Sequence, residues 1–194
     1  STYEDWAHYT DVIFRIQENR VTIQPGIAVY IIRSILRGLE ILHDNDYVHS
    51  DIKPANIMIS RLGNIKIIDY GRAIRQNEKM TFLLGTPLYM APETHRREPN
   101  AVQSDLFSVG LVGIEMLCGV PPIKNGSEEF LLEQKMTLIE RLDEILPPHV
   151  LENTFLVEIL KRFIEPDPYK RYGNAVDADA GDQSPDRAAH PVGQ

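Results

Sequence analysis

An acid, an ammonium and an amide fall within a short run at Asp51-Ile52-Lys53-Pro54-Ala55-Asn56, and a second acid follows at Asp69-Tyr70-Gly71. A carboxylate can orient a hydroxyl and take its proton. Carboxylate and amide oxygens suit a hard cation such as magnesium, and an ammonium is a point charge that can face phosphate. Taken singly, Asp51 and Asn56 read as turn residues around Pro54, and His49 reads as a core histidine. What the set means depends on what else lies in order along the chain.

Two further runs follow in order, Ala91-Pro92-Glu93 and Asp105-Leu106-Phe107-Ser108-Val109-Gly110. With His49-Ser50-Asp51 through Asn56 and Asp69-Tyr70-Gly71, they resemble the signature set of protein kinases: a catalytic loop with Asp and Asn, then Asp-Phe-Gly, then Ala-Pro-Glu. The resemblance covers about residues 1–175. It implies that Asp51 accepts the substrate hydroxyl proton, that Lys53 neutralises the transferring phosphoryl group, and that Thr86 bridges the two, so that Asp51, Lys53 and Thr86 are the catalytic residues. For ATP and Mg²⁺ it implies Lys53, Asn56, Met58 and Asp69, with Asn56 and Asp69 holding the metal and Met58 lying beneath the adenine ring. Lys53 together with Gly85-Thr86 resembles the serine/threonine branch, so the implied acceptor is a Ser or Thr hydroxyl of a protein. Two implied contacts are structural: Arg171 as the buried partner of Glu93, and His49 packed on Tyr70.

The chain departs from the family pattern in places. Ser50 stands where most members have Arg before the catalytic Asp, which leaves the pocket for an activation-loop phosphate incomplete. Activity is therefore expected to be insensitive to loss of Thr81, the best phosphosite candidate in the loop. Tyr70 replaces Phe and brings a hydroxyl that needs a partner. No Gly-x-Gly-x-x-Gly occurs; the nearest approach, Gly110-Leu111-Val112-Gly113, lies within a helix pattern. No strand Lys with a helix Glu precedes His49. The chain thus resembles the C-terminal lobe of the family, and the N-terminal lobe is expected from the same gene or in trans. Ser1 is compatible with a removed Met or with a start inside a longer chain. Half of a phosphate clamp is expected to be slow or inactive alone. Two other readings stay open: a non-catalytic kinase-like interaction module and a small-molecule phosphotransferase.

The elements that must position these residues are mainly helical. Ile27, Tyr30, Ile31, Ile35, Leu39 and Leu42 recur near a 3.6 period, predicting an amphipathic helix from Pro25 to about His43. Tyr47-Val48 reads as extended. Ile57-Met58-Ile59 and Ile65-Lys66-Ile67-Ile68, separated by Arg61-Leu62-Gly63-Asn64, predict a hairpin with Lys66 exposed. Residues 72–92 read as a long functional loop. A central helix is predicted from an N-cap at Ser104 or Asp105 to Cys118, and two more over about Glu128–Met136 and from Asn153. The fold class is therefore mainly α: a protein-kinase-like C-terminal lobe with a small β-hairpin that carries the catalytic loop and the metal-binding Asp. Residues 176–194, with four Asp and one Arg, read as a disordered acidic tail.

Composition bounds the partners. The 194 residues carry a net charge of −8, which disfavours nucleic acid or an anionic membrane as main partner. Leu106–Ile123 contains Glu115 and ends in Pro121-Pro122, so it reads as a buried helix and not a membrane span. The one cysteine, Cys118, reads as a buried thiol, and a cytoplasmic protein is expected. Glu128, Glu129 and Glu133 read as a solvated helix face, with an acidic recognition surface the lesser reading.

Overall fold

The computed structural model describes residues 6–8, 22–81 and 87–181. Trp6–His8 form strand β1, which no sequence signal had marked. Helix α1 spans Pro25–Asp44, with Pro25 in its first turn, where a missing N–H costs nothing. It ends at Asn45 and Asp46, whose N–H groups close on Leu42 O and His43 O, Asp46 taking a left-handed φ of 66°. The buried stripe of α1 is Ala28, Ile31, Ile32, Ile35, Leu36, Leu39 and His43. Ile27 and Tyr30, expected in that stripe, are instead exposed, because the first turn of α1 overhangs a hairpin loop and the Tyr30 hydroxyl donates to Gly63 O.

The hairpin is as anticipated: β3 (Ile57–Ser60) pairs antiparallel with β4 (Ile65–Ile67), Met58 opposite Lys66, and Lys66 is exposed. β1 adds a third strand along β3, with His8 opposite Met58. The stretch read as one loop contains a further strand: β5 (Ile74–Arg75) pairs with β2 (Tyr47–Val48).

After short helix α2 (Pro92–His95), helix α3 (Val102–Cys118) forms the centre of the core. It starts earlier than the predicted cap at Ser104 or Asp105, because Ser104 works from the third helical position: its Oγ accepts the Ala101 N–H. Every residue from Ser104 to Leu117 is buried. Two glycines let neighbours close on it. A Cβ at Gly110 would sit 2.6 Å from Phe163 Cβ, and one at Gly113 would sit 2.9 Å from Ile32 Cδ1. Helices α4 (Glu128–Met136), capped by Ser127 Oγ, and α7 (Thr154–Phe163), capped by Asn153 Oδ1, match expectation. Between them lie α5 (Leu138–Ile145) and α6 (Pro148–Leu151), which no sequence signal had marked.

The boundary drawn at residue 176 is corrected. Ala175–Ala180 form helix α8, capped by Asn174 Oδ1. It packs on α1 through buried Ala175 and Ala178, with Asp179 Oδ1 2.8 Å from Arg33 Nε. Small alanines allow this close approach, which a composition reading takes for disorder. Cys118 is half-buried, its Sγ donating to Ile145 O, and burial pushes its thiol up to about 12, which disfavours the nucleophilic thiolate.

Candidate active site

The loop that carries Asp51 hangs from α3. Asp105, in the first turn of α3 and wholly buried, accepts three donors: His43 Nε2 at 2.8 Å, His49 N at 2.8 Å and Ser50 N at 2.9 Å. These bonds hold Ser50 at a φ of 68°. His49 is buried and works structurally. Its Nδ1 accepts the Asp51 N–H, its Nε2–H therefore donates to Ile68 O, and its ring meets Tyr70 edge-on at 5.1 Å. The Tyr70 hydroxyl finds its partner at Ile67 O.

Asp51, Lys53 and Asn56 converge. Asn56 Nδ2 donates to Asp51 O at 2.7 Å and to Asp51 Oδ2 at 3.1 Å, while Lys53 Nζ lies 3.5 Å from Asp51 Oδ1. With its amide nitrogen engaged, Asn56 has Oδ1 left to offer a cation. Asp69 is brought beside it by the hairpin, since Ile68 N–H donates to Asn56 O at 2.9 Å. Asp69 is exposed, with a φ of 58°, and its Oδ1 accepts the Gly71 N–H. An amide oxygen and a carboxylate fit magnesium, which takes its other ligands from phosphate and water. Among the described residues no cluster of three His, Cys, Asp or Glu could hold a metal. Met58 lies half-buried on β3, and Thr86 falls outside the described residues. Sequence reasoning missed Arg72, whose Nη1 lies 3.7 Å from Asp51 Oδ1; its place directly after Asp69-Tyr70-Gly71 was the available signal.

A small cleft beside Asp51 and Lys53 is walled by Pro87, Tyr89 and Met90. This wall is tied to α3: Ser108 Oγ donates to Tyr89 O at 2.6 Å, and the Tyr89 hydroxyl donates to Glu115 Oε2 at 2.8 Å. Burial pushes the Glu115 carboxyl up to about 7, and burial together with Glu115 raises the Tyr89 hydroxyl. The segment ends on an ion pair. Arg171 Nη1 and Nη2 lie 2.7 and 2.9 Å from the two Glu93 oxygens, and both side chains are buried, as the sequence implied.

The three acids of α4 lie on an exposed face, as read from sequence: Glu128, Glu129 and Glu133 are all exposed. Glu128, at the start of α4, in addition holds Arg97 Nη1 at 2.8 Å and lies 3.4 Å from His95 Nδ1, which makes it part of an ion cluster.

A family described as "Protein kinase domain" matches residues 5–180. The chain is 39% identical to serine/threonine-protein kinase 17A of Oryctolagus cuniculus over 115 residues, which cover 56% of this chain and 29% of that protein. It is 33% identical to serine/threonine-protein kinase STE20 of Candida glabrata over 172 residues, covering 87% of this chain and 18% of that protein. To mitogen-activated protein kinase kinase kinase 17 of Arabidopsis thaliana it is 41% identical over 109 residues, 56% of this chain and 27% of that protein. The chain thus spans less than a third of the length of these curated relatives.

Proposed function

The chain belongs to the protein kinase domain family, and from that premise we propose that it is the catalytic C-terminal lobe of a serine/threonine kinase that moves the ATP γ-phosphate to a protein hydroxyl. The observation that carries this reading is the convergence of Asp51, Lys53 and Asn56 on one carboxylate, with Asp69 alongside on the hairpin. Asp51 is 11% exposed, poised to accept a bond from an incoming hydroxyl and take its proton as oxygen attacks phosphorus. Asn56 holds that carboxylate from Oδ2 while Lys53 faces its Oδ1, so the acid is fixed in orientation and a cation stands ready for the phosphoryl oxygens. Asn56 and Asp69 would hold Mg²⁺, which would supply neutralising charge for the phosphates. Thr86 is proposed to bridge Asp51 and Lys53, and Met58 to lie against the adenine.

The N-terminal lobe, with its Gly-rich phosphate cover, is proposed to come from the same gene or in trans. A cytoplasmic location is part of this reading; no helix among the described residues is long and apolar enough to cross a membrane. Mg-ATP is expected to raise the melting temperature of the chain, with the gain lost in Asp69→Ala. No Mg-dependent gain in the wild type favours the non-catalytic module instead. In the presence of the N-terminal lobe, phosphate transfer to a generic basic protein and not to aminoglycosides or choline is expected, and the reverse preference would mark a small-molecule phosphotransferase.

A further inference from the structure

Helix α4 buries the amino group of a lysine. Its inward face is Leu131, Gln134 and Lys135, and Lys135 is fully buried. Lys135 Nζ donates to Pro87 O at 2.8 Å and lies 2.7 Å from His95 Nε2. His95 is itself buried, and burial with the adjacent Lys135 pushes its ring down to about 4, so it is neutral at physiological pH. A neutral ring that accepts from Lys135 through Nε2 carries its proton on Nδ1, which faces Glu128 Oε1 at 3.4 Å. Glu128 is in turn paired with Arg97. The groups run in a chain from the surface pair Arg97 and Glu128, through His95 and Lys135, to the carbonyl of Pro87.

Taking an ammonium out of water costs several kcal/mol unless its donors are used. An apolar side chain at the same inward position avoids that cost, so the contact made by Lys135 is what sets the residue apart. That contact lands on the first described residue of the segment Pro87–Met90, whose side chains wall the cleft beside Asp51 and Lys53. Among the described residues the other two ties of this wall to the helical core, to Ser108 and Glu115, both fall on Tyr89. Without Lys135 the Pro87 end of the wall loses its hold from below.

We propose that Lys135 is a positioning residue for the acceptor polypeptide: by holding the Pro87 carbonyl, with His95 as its second partner, it fixes the segment that presents the acceptor hydroxyl to Asp51. This deepens the kinase reading and rests on it.

Amide hydrogen exchange tests the hold without requiring activity. Lys135→Met keeps the stem and drops the ammonium; it is expected to speed exchange in peptides covering residues 87–91 about tenfold, the scale of one hydrogen bond, with α3 unchanged. Lys135→Gln keeps a donor and is expected to restore most of the protection. Unchanged exchange at 87–91 in Lys135→Met, or a Gln variant as fast as Met, overturns the proposal. If Lys135→Met exchanges throughout the chain, His95→Gln takes its place: it leaves Lys135 in position with a weakened second partner, and is expected to loosen 87–91 about threefold. No change there is equally fatal. In the chain supplied with its N-terminal lobe, Lys135→Met is expected to raise KM for an acceptor peptide about tenfold, with kcat and KM for ATP within about twofold. A fall in kcat alone overturns the positioning role. A wild type that transfers no phosphate fails the kinase reading itself, an outcome the exchange measurement keeps separate.

Discussion

Asp105 Oδ1 accepts the backbone N–H of Ser50 at 2.9 Å, so a side chain in the first turn of α3 holds a residue 55 positions earlier in a left-handed conformation. Its other oxygen takes His49 N and His43 Nε2. Asp105→Ala leaves three donors without an acceptor, two of them backbone groups that cannot turn away. We expect a loss of roughly 3 kcal/mol or more in urea denaturation, with Asp105→Asn, which keeps one acceptor oxygen, less damaging. Equal losses in the two variants would count against the donor argument.

The Glu93–Arg171 pair spans 78 residues and ties the end of the cleft wall to the turn after α7. Arg171 also donates to Glu165 O, Gln103 O and Pro166 O. Arg171→Met leaves Glu93 buried with, among the described residues, Ser104 Oγ as its one remaining side-chain donor, and should cost roughly 3–5 kcal/mol. Adding Glu93→Leu removes the stranded charge and should recover part of that loss in the same denaturation series. If the double variant is as unstable as the sum of its singles, charge desolvation is not the cause.

The chemistry of the site was legible in sequence because it is local. Asp51, Lys53 and Asn56 lie in one turn, and the hairpin that delivers Asp69 announces itself by its β-rich runs. Arg72 and Lys135 were not legible, since a cation is read by default as solvated. In Lys135 the clue was positional, four residues after Leu131 on the inward face of α4. Helix α8 escaped for the opposite reason: buried alanines beside aspartates carry no periodic apolar signal, and only contact with α1 makes them core. The early start of α3 was hidden because Ser104 caps from inside the helix.

Ser50 offers no cation to a phosphate on the loop, and Thr81 is exposed. In the chain supplied with its N-terminal lobe, Thr81→Ala should therefore keep phosphate transfer within about threefold of the wild type, since no charge-assisted hydrogen bond from residue 50 is there to lose. A variant that loses nearly all turnover in a peptide phosphorylation assay would show that another cation receives a phosphate there.

Three buried groups give stability a defined pH dependence. Burial lowers Lys135 from 10.5 to about 7, so between those values the unfolded chain holds a proton that the folded chain has released. Stability must then rise with pH across that window, at up to about 1.4 kcal/mol per unit. His95, lowered from 6.5 to about 4, also leaves the unfolded state with more protons, so this group makes stability fall as acid is added below pH 6.5. Glu115 acts the other way: raised from 4.5 to about 7, it holds a proton in the folded state that the unfolded state has lost, and stability falls as pH rises between them. The last two oppose each other from 4.5 to 6.5, and the Lys135 effect is clear of them from 7 to about 9, above which the raised Cys118 thiol begins to oppose it. Urea midpoints measured through that upper window should climb in the wild type and stay level in Lys135→Met. In Glu115→Gln the opposition is gone, and the midpoint should drop more steeply below pH 6.5. A Lys135→Met variant that still climbs above pH 7 would mean that the ammonium keeps its ordinary affinity for protons despite its burial.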